Sequence, residues 1–112
     1  MFPAYKTTIH CQQSQKVLEQ IMLDAVDWYL SLHPTVFPIK RKNSCIVLKA
    51  QKSYRSSGEL ITISVLPHSF VIVSKSLQES TQLVAWGKNR ENTISLAACL
   101  NSQVRELLYA AA

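Results

Sequence analysis

Chemistry in this chain has few places to live, and the densest of them lies toward its C-terminal end. Ser74, Lys75 and Ser76 close one hydrophobic run, and Gln82, Lys88, Asn89 and Arg90 open the next. Two hydroxyls, two amides and three cations within seventeen positions suit the capture of an anion, above all if Asn89 starts a helix. A helix start presents unpaired N–H groups and favours negative charge. The same residue types also suit a purely structural role. Asn89 can cap a helix, Gly87 can supply a left-handed turn, and Trp86 can anchor the loop by packing.

Other groupings carry less. His10, His33 and His68 fall on a strand, a helix end and a turn, without the spacing or carboxylate partners of a metal site. His10 and Cys11 are adjacent on a strand and point to opposite faces, so they cannot serve each other as base and nucleophile. Asp24 and Asp27 share a helix surface, but no second acidic cluster completes a two-carboxylate or magnesium site. Cys11, Cys45 and Cys99 are odd in number and widely spaced, each in an apolar stretch, and are expected to be buried free thiols. No metal and no cofactor is implied.

A second cluster is electrostatic. Lys40, Arg41, Lys42, Lys49, Lys52 and Arg55 fall within a segment that holds no acid. Such a run can track a phosphate backbone, and Tyr54 beside it offers one ring for stacking. Beyond Tyr54 only Phe37 and Phe70 are candidates for stacking, and Phe70 reads as core, so any nucleic-acid affinity is expected to be weak and indifferent to sequence. The plainer role is a lysine-guarded hairpin.

These groups must be positioned by a small domain. The chain has 112 residues, 47% hydrophobic, with 17% charged residues and a formal net charge of +5. That is one domain, residues 1–112, with a core large enough to stand without disulfides. No signal-peptide pattern and no membrane-length apolar run is present, so the expected setting is cytoplasmic, away from the membrane.

Periodicity supplies the elements. Tyr5–Cys11 alternates as a first strand. Ser14 caps a helix from Gln15 to about Leu32, whose apolar residues Leu18, Ile21, Met22, Ala25, Val26 and Tyr29 recur at helical steps until Pro34 stops it. Four strands follow: Val36–Lys42, Cys45–Gln51, Leu60–Leu66 and Phe70–Leu77. Tight turns at Lys42-Asn43-Ser44, Ser56-Ser57-Gly58 and Pro67-His68-Ser69 join them. Connections this short make neighbours antiparallel. Pro38 puts its strand at a sheet edge or a bulge. After a polar connection, a last helix is expected from Asn89 or Glu91 to Tyr109, with Ile94, Ala97, Leu100, Val104, Leu107 and Leu108 toward the core.

The order β-α-β-β-β-β-α implies an α+β two-layer sandwich: an antiparallel sheet of about five strands with both helices on one face. A curved sheet gripping the last helix is one version of it.

The C-terminal half resembles small bacterial domains of unknown function. In these a Ser-x-Ser strand end precedes a Gly-x-Asn-x-x-Asn segment that opens the last helix. The matching residues are Ser74, Ser76, Gln82, Trp86, Gly87, Asn89 and Asn92, within residues 60–108. The resemblance implies a fold and no reaction. The expected function is a non-enzymatic domain that binds a protein partner or a small ligand, with homodimerisation open. Weak nucleic-acid binding through residues 40–55 is the alternative.

Overall fold

The structure is a computed structural model. It describes residues 4–51, 58–77 and 83–111, with residues 83–86 and 109–111 described by backbone alone. The elements are β1 (Ala4–His10), α1 (Gln15–Leu32), β2 (Val36–Arg41), β3 (Cys45–Ala50), β4 (Glu59–Leu66), β5 (Ser69–Ser76) and α2 (Leu83–Ala111). The sheet is antiparallel throughout, with spatial order β1-β5-β4-β3-β2. The meander β2 to β5 follows from its turns, and β1 returns to pair with the far side of β5. Both helices lie on one face, so the α+β sandwich read from the sequence is the fold found.

Local chemistry explains the boundaries. Ser14 Oγ accepts from the Val17 N–H at 3.4 Å and caps α1. At the other end, the His33 N–H bonds back to the Leu30 carbonyl, and Pro34 forbids another turn. Lys42 and Cys45 exchange backbone bonds around Asn43-Ser44, closing the β2–β3 hairpin. At Pro67-His68 the chain turns with His68 at φ 60°, and the His68 carbonyl then receives the Cys11 N–H at 2.9 Å, tying the end of β1 to this hairpin. Gly58 holds φ 95° just before β4, a conformation that glycine adopts without steric cost. The companion residues Ser56 and Ser57 of that expected turn lie outside the described residues.

Leu18, Met22, Val26 and Tyr29 of α1, Ile46 and Leu48 of β3, Ile61 and Ile63 of β4, Phe70 and Ile72 of β5, and Leu96 and Leu100 of α2 form the core. Pro38 does sit on an edge strand, and the register shifts between Pro38 and Lys40. That bulge turns Arg41 to the helix side, where its guanidinium meets Asp27 of α1 at 3.1 Å.

Three expectations are corrected. First, α2 begins at Leu83, so Asn89 lies two turns inside it and caps nothing, and Gly87 is helical. A glycine beside an asparagine mimics a helix boundary. Here the helix runs through at a cost of about 1 kcal/mol relative to alanine. Second, Ile94 and Leu108 are exposed (43% and 54%), while Leu96 and Cys99 are buried. The inward stripe starts with Asn89, Asn92 and Thr93, so tracing it through apolar residues alone set it on the wrong phase. Third, only Cys99 is a buried thiol; Cys11 and Cys45 are half-buried. Trp86, expected to pack beneath the loop, has its side chain outside the described residues.

Candidate functional site

Beneath the first half of α2 lies a knot of polar side chains. Ser74 and Ser76 both face inward, because alternate residues of a strand share a face. Glu59 pairs with Ser76 across the β4–β5 ladder, and Tyr5 pairs with Ser74 on the β1 side. Above them Asn89, Asn92 and Thr93 project from one stripe of α2. Glu59, Ser74, Ser76, Asn89, Asn92 and Thr93 are all at most 5% exposed.

Their hydrogen bonds interlock. Ser74 Oγ donates to Asn89 Oδ1 at 2.7 Å, and Asn89 Nδ2 donates to Ser76 Oγ at 2.9 Å. Asn92 Nδ2 donates to Glu59 Oε1 at 2.9 Å and to Ser74 Oγ at 3.2 Å. Alongside, Thr7 Oγ1 donates to Thr93 Oγ1 at 3.1 Å, which donates to the Arg90 carbonyl at 3.0 Å. Every buried side-chain nitrogen and oxygen among the described residues has a partner. Completeness is what makes such a knot tolerable, since an unpaired buried polar group costs roughly 1–3 kcal/mol.

The C-terminal end of α1 closes the cluster. Tyr29 is buried and stacks on His33, one turn on, with ring centroids 4.2 Å apart. Burial pushes the Tyr29 hydroxyl up to about 12, and the neighbouring Cys99, Glu59 and Glu91 push the same way. His33 is held below its ordinary value, first by desolvation and then by the Lys88 ammonium, with Glu91 opposing. Cys99 is also raised by burial, which keeps it a thiol rather than a thiolate.

Of the sequence-derived candidates, Ser74, Ser76 and Asn89 are brought into direct contact. Lys88 is half-buried on the His33 side, and Arg90 is exposed, so neither cation converges on the hydroxyls. Gln82 lies outside the described residues. The helix-start argument for an anion fails here, because residues 87–90 sit within α2, where backbone N–H groups are already bonded. Glu59 and Tyr29 were missed. Glu59 is a lone acid after a glycine, and its partner Asn92 is 33 residues away. Asn92 and Thr93 fall on the helical stripe through Asn89, and extending that stripe across polar residues finds them.

The described members of the basic set do not form one surface. Lys40 and Lys49 are exposed on the outer sheet face, Arg41 is turned toward Asp27, and Lys42 flanks the hairpin turn. Lys52, Tyr54 and Arg55 lie outside the described residues. Among the described residues no cluster of His, Cys, Asp and Glu suits a metal. No helix there is long and apolar enough to cross a membrane.

Two cavities bear on ligand binding. Ser76 lines one of about 240 Å³ at the end of the sheet, together with Leu60, Lys75 and Leu77. A larger groove of about 470 Å³ runs between α1 and the C-terminal half of α2, floored by Val17, Ile21 and Leu107.

A curved antiparallel sheet closed around a long C-terminal helix is the helix-grip architecture of START and polyketide-cyclase proteins. No family model matches the chain, and no curated protein sequence does. Among solved structures it is similar to the di-domain aromatase/cyclase StfQ of the steffimycin biosynthetic pathway, with TM-score 0.58 and 9% identity over 96% of this chain and 52% of that one. The chain thus spans about half the length of StfQ. It is likewise similar to the Zhui aromatase/cyclase from Streptomyces sp. R1128, with TM-score 0.55 and 12% identity over 96% of each chain. A START superfamily protein from Mycobacterium smegmatis gives TM-score 0.55 at 13% identity, over 93% of this chain and 98% of that one.

These likenesses define the fold. They also overturn the expectation of a non-enzymatic domain, which rested on the lack of a local catalytic motif. The aromatase/cyclases have this same architecture. In a helix-grip fold, polar groups converge from β4, β5 and α2, which are distant in sequence, so a missing motif excludes nothing.

Proposed function

We propose that this protein binds a small organic molecule at the end of the sheet, where Ser76 of the buried network meets Leu60 and Lys75 of the outer face. The observation that carries the proposal is that Ser76 belongs both to the buried network under α2 and to the wall of the 240 Å³ cavity. That cavity places a fixed polar group beside the apolar Leu60 and Leu77 and the ammonium-bearing Lys75. Its size suits a fragment-sized ligand, since drug-sized molecules fill roughly 300–1,000 Å³. An apolar body with a carboxylate or carbonyl oxygen matches this lining. The fold supports the reading, because an aromatase/cyclase must hold a small organic substrate.

The test is a titration of isotope-labelled protein with small aromatic carboxylates, followed by backbone amide shifts. Perturbations should cluster at Leu60, Ser76, Leu77 and Asn89 and weaken in Ser76→Ala. Shifts confined to Val17, Ile21 and Leu107 would move the site to the interhelical groove. No saturable shift with any member of the series would reject the proposal.

A further inference from the structure

The sheet has a second face, which neither helix touches. Glu59 is the sole acid in the five strands, and it points to the helix side, so the outer face carries none. The pairing registers align Lys6, Val73, Thr62, Val47 and Lys40 in one row across all five strands. Val73, Thr62 and Val47 are half-buried in the middle of the row, and the lysines at its two ends are exposed. In the next row Lys75 and Lys49, both exposed, flank Leu60, with Phe37 on the edge strand beyond Lys49. Lys6, Lys40 and Lys49 form no ion pair among the described residues. Phe37 and Leu66 add exposed apolar surface to the same face (38% and 47%).

We propose that this face docks an acidic amphipathic helix of a partner protein. Adjacent strands lie about 4.8 Å apart, so Lys6 and Lys40 stand up to roughly 19 Å from each other across a valine–threonine floor. A helix about 10–12 Å wide lies between them with its apolar stripe on the floor, and glutamates on both flanks reach the ammonium groups. A second copy of the chain brings an identical positive face and is repelled. Single-stranded nucleic acid needs successive aromatic platforms, and this face has Phe37 on one edge strand and His10 on the other, with no ring from the three strands between. A lipid surface needs large side chains that protrude from the centre of the patch, where this face has half-buried valines.

The probe is a synthetic helical peptide of about 20 residues with a leucine stripe flanked by glutamates, set against a peptide of the same composition in scrambled order. Amide shifts should move at Val47, Thr62 and Val73 with the patterned peptide alone. The Lys6→Glu/Lys40→Glu double variant should weaken binding by about tenfold or more, whereas Lys16→Glu on α1 should leave it unchanged. If the double variant does not fold, raising salt from about 0.05 to 0.5 M must weaken the wild-type complex instead. Equal binding of the scrambled peptide, shifts elsewhere, or no binding at millimolar peptide would overturn the proposal. So would tighter binding of phosphatidylserine vesicles or of oligothymidylate, which would assign the face to a lipid surface or to nucleic acid respectively.

Discussion

The two buried stretches of α2 are equally hidden from water and are held by different forces. From Asn89 to Thr93 the helix presents amides and a hydroxyl to Ser74, Ser76 and Glu59; from Leu96 to Leu100 it presents aliphatic groups to the core. Burying a leucine side chain contributes about 1.5–3 kcal/mol, with little demand on direction. A satisfied hydrogen bond contributes about 0.5–1.5 kcal/mol net, but it holds only in one geometry. The apolar stretch therefore supplies most of the attachment. The polar stretch sets the rotation and height of α2 over the sheet.

The comparison is broken most sharply by truncating each half in turn. Leu100→Ala should lower unfolding free energy by about 2–5 kcal/mol in urea titrations, through lost transfer and a residual cavity. Asn92→Ala should cost about 1.5–3 kcal/mol, because it strips Glu59 Oε1 of its donor. An Asn92→Ala loss below about 0.5 kcal/mol would mean that the polar half does not secure the helix.

Alkali tests the burial of Tyr29, the α1 side chain beside both halves. The folded state holds the Tyr29 proton up to about pH 12, whereas the unfolded chain releases it near its ordinary value of 10. The unfolded state thus binds fewer protons between those limits, and stability falls with rising pH. The contribution is intact below about pH 10 and is lost through pH 12, amounting to about 2–3 kcal/mol. Tyr29→Phe should flatten that part of the decline when the two proteins are titrated side by side. Identical curves would place the hydroxyl in contact with solvent.

The smallest effect sharpens the boundary of the polar half. A Cβ added at Gly87 meets nothing within 4 Å, and the residue is helical. Gly87→Ala should therefore raise stability by up to about 1 kcal/mol, read as a higher melting temperature. A decrease would show that α2 needs glycine's freedom there.

The two helices also differ in how well the sequence announces them. α1 was legible from end to end, because Ser14, the apolar stripe and Pro34 are local signals that agree. In α2 they conflict. Gly87-Lys88-Asn89 imitates a helix start, and inward-facing asparagines break the apolar count, which drew Ile94 into the expected core. Ser74, Ser76 and Asn89 were found as a group because short polar side chains ending a β-branched strand are conspicuous. Glu59 was not, since its burial depends on a partner far along the chain. Arg41 reads with its basic neighbours because Pro38 signals an edge or a bulge without saying which, and one bulged residue reverses the faces of everything after it.

The length of α2 has a consequence for how the molecule moves. At 1.5 Å per residue, 29 residues extend about 43 Å, against a longest molecular dimension of 46 Å. One rod thus runs from end to end, and between Asn101 and Leu108 it keeps only half-buried contacts such as Val104 and Leu107 against the core. Amide protons should therefore exchange in a gradient along a single helix, slowest near Leu96–Leu100 and fastest toward Leu108, where local fraying releases them without global unfolding.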